Sequence, residues 1–317
     1  MSINLASQSR NNTPLVRHAL NGPTMGTRYS ATLFAPEDTD IKALNAALFG
    51  AVDRVDRQMS TWKPDSDLNR LNAAPLGCWI AIPRELTTVL AASLRIGRAS
   101  NGRFDIGVGN LVAAWGFGSA GPQPDAKRIA ELGKQARPVT TLALEVDEAG
   151  SRARKHAPLS LDLSGIAKGY GVDELARVMN AFGIPSWLVG IDGEMRAKGV
   201  KPDGSPWAVG LERPQRGTRD IMSVIELTDM AVATSGNYRH WRDVDGKTLP
   251  HTMNPKTGAP LDNDVSSVSV LAATAMEADA WATVLMVLGE KSGLQTARTL
   301  GIGAIFVLRD GSVSSIL

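Results

Sequence analysis

The chain has 317 residues, 43% hydrophobic and 21% charged, a balance that excludes a disordered, collagen-like or low-complexity protein. Its 34 Lys and Arg against 32 Asp and Glu leave a formal charge of +2, which gives no electrostatic footprint for nucleic acid or an anionic membrane. The single cysteine, Cys78, rules out an internal disulfide and a multi-thiolate metal site, and beside Trp79 it reads as a semi-buried residue.

The length fits one large domain or two ordinary ones, at roughly 100–200 residues per domain. The first 21 residues are polar and aperiodic and read as a loose tail without the apolar core of a signal peptide. No apolar run reaches the length of a membrane span. A cytoplasmic location is therefore expected, or a periplasmic one if a leader precedes this sequence. Residues 27–34 alternate as a strand does. Ile41, Leu44, Leu48, Val52, Val55 and Met59 then mark one face of a helix. A polar loop, STWKPDSDLNRLN, occupies 60–72, and Pro83 and Asn101-Gly102 bracket a second helix over about 84–100. Residues 103–118 are Gly-rich and almost uncharged, and so read as buried. A short helix near 125–136 and a strand over 139–146 follow. Asp162 to Gly171 is a polar turn feeding a helix with Leu175, Val178, Met179 and Phe182 inside. From about 186 to 236 the pattern is β-rich. A strand at 265–271, a helix at about 274–288, another helix and a closing hairpin complete the chain. Helices and antiparallel-looking strands mix without a βαβα rhythm, which predicts an α+β fold.

Several familiar signatures fail on spacing. Gly107-Val108-Gly109 opens like a dinucleotide fingerprint, but position 112 is Val. Gly246-Lys247-Thr248 imitates the end of a P-loop whose first Gly would fall at Trp241. His18, His156, His240 and His251 form no HxxxH pair, and no GxSxG elbow is present.

Four segments could carry chemistry. Asp279 and Thr283, four apart on a helix, share one face and offer two hard oxygens to Mg²⁺, although taken alone Asp279 reads first as a solvated carboxylate near a helix N-terminus. The turn LDLSGIAKGYG (161–171) presents backbone N–H groups and Lys168 to an anion, while Asp162 could be a simple N-cap. His251 lies in a Pro-bracketed loop where a proton acceptor or a surface residue would both be at home. Trp62 is either a platform for a planar ring or a plug anchoring its loop in the core.

Taken together these segments resemble the ApbE-type flavin transferases, from about Gly22 to the C-terminus. The resemblance rests on ordered motifs: PTMGT (23–27), STWKPDSDLNRLN (60–72), FDIGVGNLVAAWGFG (104–118), LDLSGIAKGYGVD (161–173), GIDGEM (190–195), ATSGNYRHW (233–241), HTMNPKTG (251–258) and MEADAWATVLMVLG (276–289). It implies an α+β fold with two entwined subdomains of the T-fold kind, a single domain over 22–317, and FAD in the cleft. By motif position it implies that Met25, Trp62, Phe104, Asp105, Asp162, Lys168, Gly193, Glu194 and Ser235 bind FAD. Mg²⁺ would be held by the carbonyl of Gly165 with Asp279 and Thr283, and His251 would be the general base. The implied reaction moves FMN from FAD to a Thr or Ser hydroxyl of a partner flavoprotein and releases AMP. Two alternatives stay open: an FAD pyrophosphatase using the same groups, and an FAD-binding accessory protein without catalysis.

Overall fold

The structure, a computed structural model, describes residues 14–119, 121–215, 217–239, 241–244 and 247–317. Residues 1–13 of the expected tail, His240 and Gly246 lie outside the described residues.

An eight-stranded antiparallel sheet runs through the molecule with its strands side by side in chain order. The strands are β1 (Leu15–Thr24), β2 (Thr27–Pro36), β3 (Ser186–Ile191), β4 (Glu194–Lys198), β5 (Ala231–Gly236), β6 (Val265–Ala272), β7 (Gly303–Leu308) and β8 (Val313–Ile316). β1 corrects the expectation of a loose tail up to residue 21. It pairs along its whole length with β2 and forms the sheet edge. Its polar residues are those a solvated edge tolerates, and the pairing rather than its own pattern makes it a strand.

Neighbouring residues on each strand serve opposite faces, as the two-residue period requires. Leu33, Val189, Ala231, Val270 and Phe306 face the helices, while Phe34, Leu188, Val232, Leu271 and Ile305 pack under a separate two-stranded ribbon. That ribbon pairs Trp207–Glu212 with Ile221–Leu227 and sets Trp207 against Phe34 at 5.8 Å between ring centres.

Nine helices occur among the described residues: α1 (Ile41–Met59), α2 (Asp67–Ala73), α3 (Arg84–Ala99), α4 (Gly109–Ala114), α5 (Ala126–Lys134), α6 (Thr140–Ala143), α7 (Ala167–Ala181), α8 (Ala275–Leu288) and α9 (Glu290–Leu300). α1 follows its periodicity: Leu44, Leu48, Val52, Val55 and Met59 are buried, and Asp40 caps its N-terminus. The same helix serves two cores. Leu44, Leu48 and Val52 pack against the sheet, whereas Val55 and Met59 join a second core built around α3. α7 divides likewise, with Tyr170 in the α3 core and Val172, Leu175 and Met179 against the sheet. Ala280 and Val284 of α8 reach the α3 core, while Ala278, Ala282 and Leu285 pack on β6 and β7. Three helices thus belong to two bodies at once, and this interlocking produces an entwined α+β fold.

The structure corrects four further local expectations. The 60–72 loop contains α2, whose Ser66 cap accepts from the Asn69 N–H at 3.1 Å. Residues 140–143 form a helical turn before the strand Leu144–Asp147 begins. Phe182 follows the last residue of α7 and is exposed, because the burying stripe ends with Met179. Cys78 is exposed, in the turn before Ile80–Ala81. No helix among the described residues is long and apolar enough to cross a membrane.

Candidate active site

Between the two bodies lies a cleft of about 1260 Å³, and every residue singled out from the motifs lines it: Met25, Trp62, Phe104, Asp105, Asp162, Gly165, Lys168, Gly193, Glu194, Ser235, His251, Asp279 and Thr283. They come from segments spread over most of the sequence, and local backbone chemistry explains how each arrives.

Met25 and Gly26 form the two-residue turn joining β1 to β2, with φ of 46° and 72°. Both central positions of such a hairpin need positive φ, so Met25 is held in a conformation a side-chain-bearing residue seldom takes. The turn projects Met25 onto α7, where its Cε lies 3.0 Å from the place a Cβ on Gly171 would occupy. Trp62 is 65% exposed, which decides between its two readings: it is a free face at the cleft rather than a core plug. Asn69 fixes its loop by donating to the carbonyls of Thr61 (3.2 Å) and Lys63 (2.9 Å). One turn later on α2, Asn72 clamps Leu161 through both its amide groups, at 2.7 and 3.0 Å. Asn69 and Asn72 were not among the expected site residues, although an Asn pair three apart in a polar motif was the available signal.

Asp162 is buried and does not cap α7. Its Oδ1 accepts from the Ser164 N–H at 2.8 Å, shaping the turn that leads to Gly165 and Lys168. Phe104 packs over Gly165, with Cε2 3.4 Å from a Cβ position there. Asp105 accepts from the Gly107 N–H at 2.8 Å and pairs with Arg137 at 3.3 Å. Arg137 also donates to the Pro255 carbonyl, tying the FDIG segment to the His251 loop. His251 sits on that loop with its ring edge-on to Phe117, 6.4 Å between centres.

Gly169 brings α7 and α8 together. A Cβ on it would clash with the Ala275 carbonyl and lie 2.8 Å from Asp279 Cβ, and its N–H donates to Asp279 Oδ2 at 2.9 Å. Asp173, one turn further along α7, accepts from the Ala275 and Met276 N–H groups, both at 2.9 Å, and pairs with Arg196 of β4 at 2.7 Å. These contacts fix the start of α8. Asp279 is therefore buried rather than solvated, and Thr283 stands one turn beyond it. Thr283 Oγ1 is 3.2 Å from Ser235 Oγ and 3.1 Å from a Cβ position on Gly165.

Lys168 lies at the centre of the charges. It donates to Glu194 at 2.8 Å and stands 3.8 Å from Asp192. Burial disfavours its charge, but Glu194, Asp279 and Asp192 outweigh burial and hold the ammonium protonated above the usual lysine range. Asp279 moves the other way. Burial first, and the neighbouring Glu194 charge second, push its carboxyl above the ordinary carboxylate range, against the pull of Lys168. Glu194 is 2% exposed, and its Oε2 has no hydrogen-bond partner among the described residues. Asp192 and Arg239 were not singled out from the sequence. Asp192, at φ 54° in the β3–β4 turn, pairs with Arg239, which also reaches Glu212 of the ribbon at 2.8 Å.

Among the described residues no group of three or more His, Cys, Asp or Glu side chains is placed to hold a metal ion. The set expected for Mg²⁺ is of another kind: one carboxylate, one hydroxyl and one main-chain carbonyl, all hard oxygens of residues that line the cleft. Mg²⁺ keeps few protein ligands and takes the rest from water and phosphate. The buried, incompletely compensated charge on Asp279 suits such an ion, so the residues present fit it.

Residues 25–306 match the model described as the ApbE family. An FAD:protein FMN transferase of Klebsiella pneumoniae (strain 342) is 35% identical over 297 residues, covering 92% of this chain and 84% of the relative. One from Vibrio cholerae serotype O1 is 36% identical over 291 residues, covering 92% and 87%. Among solved structures, the flavinyl transferase ApbE of Pseudomonas stutzeri in its apo form superposes with a TM-score of 0.84 at 35% identity, over 95% of both chains. The flavin transferase ApbE from Vibrio cholerae gives 0.83 at 34% identity, over 96% of this chain and 97% of that one.

Proposed function

The chain belongs to the ApbE family, and from that membership we propose that it is an FAD:protein FMN transferase acting on a Thr or Ser hydroxyl of a partner flavoprotein. The observation that carries this reading is the convergence of Trp62, Lys168, His251, Asp279 and Thr283 on one cleft large enough for a dinucleotide. We read residues 22–317 as the single catalytic domain.

In this reading the exposed face of Trp62 stacks on the planar ring of FAD, and Met25 and Phe104 enclose that end. Lys168 holds the diphosphate. Asp279, Thr283 and the Gly165 carbonyl would hold Mg²⁺, which when bound would neutralise charge on the phosphates. His251 accepts the proton of the acceptor hydroxyl. The hydroxyl oxygen attacks the FMN phosphorus, the bridging P–O bond breaks, and AMP leaves with the electron pair. The product is FMN joined to the protein by a phosphoester.

His251 is a better base than Glu194, because Glu194 is enclosed and held by Lys168, whereas His251 stands on a loop at the cleft. Water in place of the hydroxyl would turn the same groups to FAD hydrolysis. Incubation with FAD, Mg²⁺ and acceptor flavoproteins, read by in-gel flavin fluorescence, tests the proposal. A fluorescent acceptor band supports transfer, and free FMN with a dark acceptor supports hydrolysis.

A further inference from the structure

The residues assigned to FAD leave an ion-pair chain across the cleft unexplained. Lys168 on α7 shares Asp192 with Arg239, and Arg239 is held from the other side by Glu212 of the outer ribbon. Arg239 is only 26% exposed and lies across the ring of Tyr238 at 5.7 Å, which limits its freedom to swing away. The lengths in this chain are unequal. Lys168 is 2.8 Å from Glu194 but 3.8 Å from Asp192, while Arg239 makes a short hydrogen bond to Asp192 Oδ1. Asp192 is thus committed to Arg239.

Resting on the functional reading above, we propose that Arg239 is a positioning residue that occupies Asp192 and so leaves the Lys168 charge available to the diphosphate of FAD. Without the guanidinium, the cation left nearest Asp192 among the described residues is Lys168, at 3.8 Å, with the exposed Arg219 acting on it at longer range. The turn carrying Asp192 would then draw the ammonium away from the incoming phosphates, and Lys168, already paired with Glu194 at 2.8 Å, would leave that second carboxylate only partly neutralised. Both effects oppose an anionic ligand, and neither bears on the hydroxyl attack that His251 serves. Arg239 therefore acts on the binding of the phosphorylated substrate, through Asp192.

The inference makes an unusual prediction, namely that removing a second charge repairs the loss of the first. Arg239→Ala should weaken FAD binding by about tenfold or more, the size expected for a partly neutralised carboxylate lining the cleft that takes the phosphates, with kcat little changed. Asp192→Asn should bind FAD at least as well as the wild type. The double variant Arg239→Ala/Asp192→Asn should return to within a few-fold of it, because the carboxylate that captured Lys168 is gone.

The experiment is titration of FAD, and of phosphate-free riboflavin as a control, against the wild type and the three variants, with melting curves for each. The expected result is loss of FAD affinity in Arg239→Ala, rescue in the double variant, and riboflavin affinity unmoved throughout. A double variant as weak as Arg239→Ala would overturn the proposal, since Arg239 would then touch FAD directly or merely support the fold. A parallel loss of riboflavin binding would overturn it in favour of a structural role. A wild type that does not bind FAD would overturn the functional reading as well, whereas a binding wild type without rescue sinks this inference alone.

Discussion

At the level of single residues the proposed reaction divides between groups that bind and one group that takes a proton. Changing His251 to Ala removes the imidazole while Trp62, Lys168 and Asp279 remain. Flavin transfer should fall by about 10²–10⁴-fold, the usual contribution of a general base, with FAD affinity within a few-fold of wild type. Rapid-quench assays beside an FAD titration check this, and near wild-type transfer would remove His251 from the mechanism. Asp279 gives a second prediction, in stability. Its folded pKa is raised by burial above the unfolded value. The stability it contributes is therefore complete below the ordinary carboxylate range and is lost as pH rises through the raised value. Metal-free wild type should lose melting temperature relative to Asp279→Asn across that rise, and Mg²⁺ should restore it in the wild type only, because the ion binds the ionised carboxylate of the native state. Equal pH profiles with and without Mg²⁺ would contradict the metal assignment. Both residues line the cleft, and both were singled out from the sequence, with their roles implied by the family resemblance rather than by loop or spacing alone. Arg239, Asp192 and Arg137 were not, because their roles are ion pairs between segments far apart in the chain, and no local pattern records such pairing.

At the level of elements the site depends on how closely α7 and α8 approach. Gly169 permits that approach, and its N–H orients Asp279. Gly169→Ala should cost about 1–3 kcal/mol of stability through overpacking and raise the Mg²⁺ concentration needed for half-maximal activity, since the added methyl pushes on the helix that carries Asp279 and Thr283. Chemical denaturation and a Mg²⁺ titration test the two effects, and a variant that changes neither would show that the contact yields freely. Among the long helices, the periodicity of α1 locates its buried residues directly, whereas α7 and α8, packed between two cores, bury residues on most of their faces. The elements missed were those held by partners. α2 has seven residues, too few for a periodic stripe, and its form follows from the Ser66 cap and the Asn69 and Asn72 clamps. β1 is a strand because β2 lies beside it.

At the level of the whole molecule, the interlocking of two cores through α1, α7 and α8 brings residues from Met25 to Thr283 to the walls of one cleft. The antiparallel sheet was expected from the turn-punctuated strands. Its neighbour order and the ribbon beneath it were not, because register and layering are set by packing between distant segments. If the proposed site holds the diphosphate as well as the ring, the protein should bind FAD more tightly than FMN, and equal affinities in a fluorescence titration would contradict that assignment. The most direct test of the central claim is intact-mass spectrometry of an acceptor flavoprotein that a relative flavinylates, after incubation with this protein, FAD and Mg²⁺, with AMP measured in the same sample. The account predicts covalent FMN on a Thr or Ser of the acceptor, one AMP released per FMN attached, and neither product when Mg²⁺ is chelated. Unmodified acceptor with FAD intact, or with all the FMN free in solution, would contradict it.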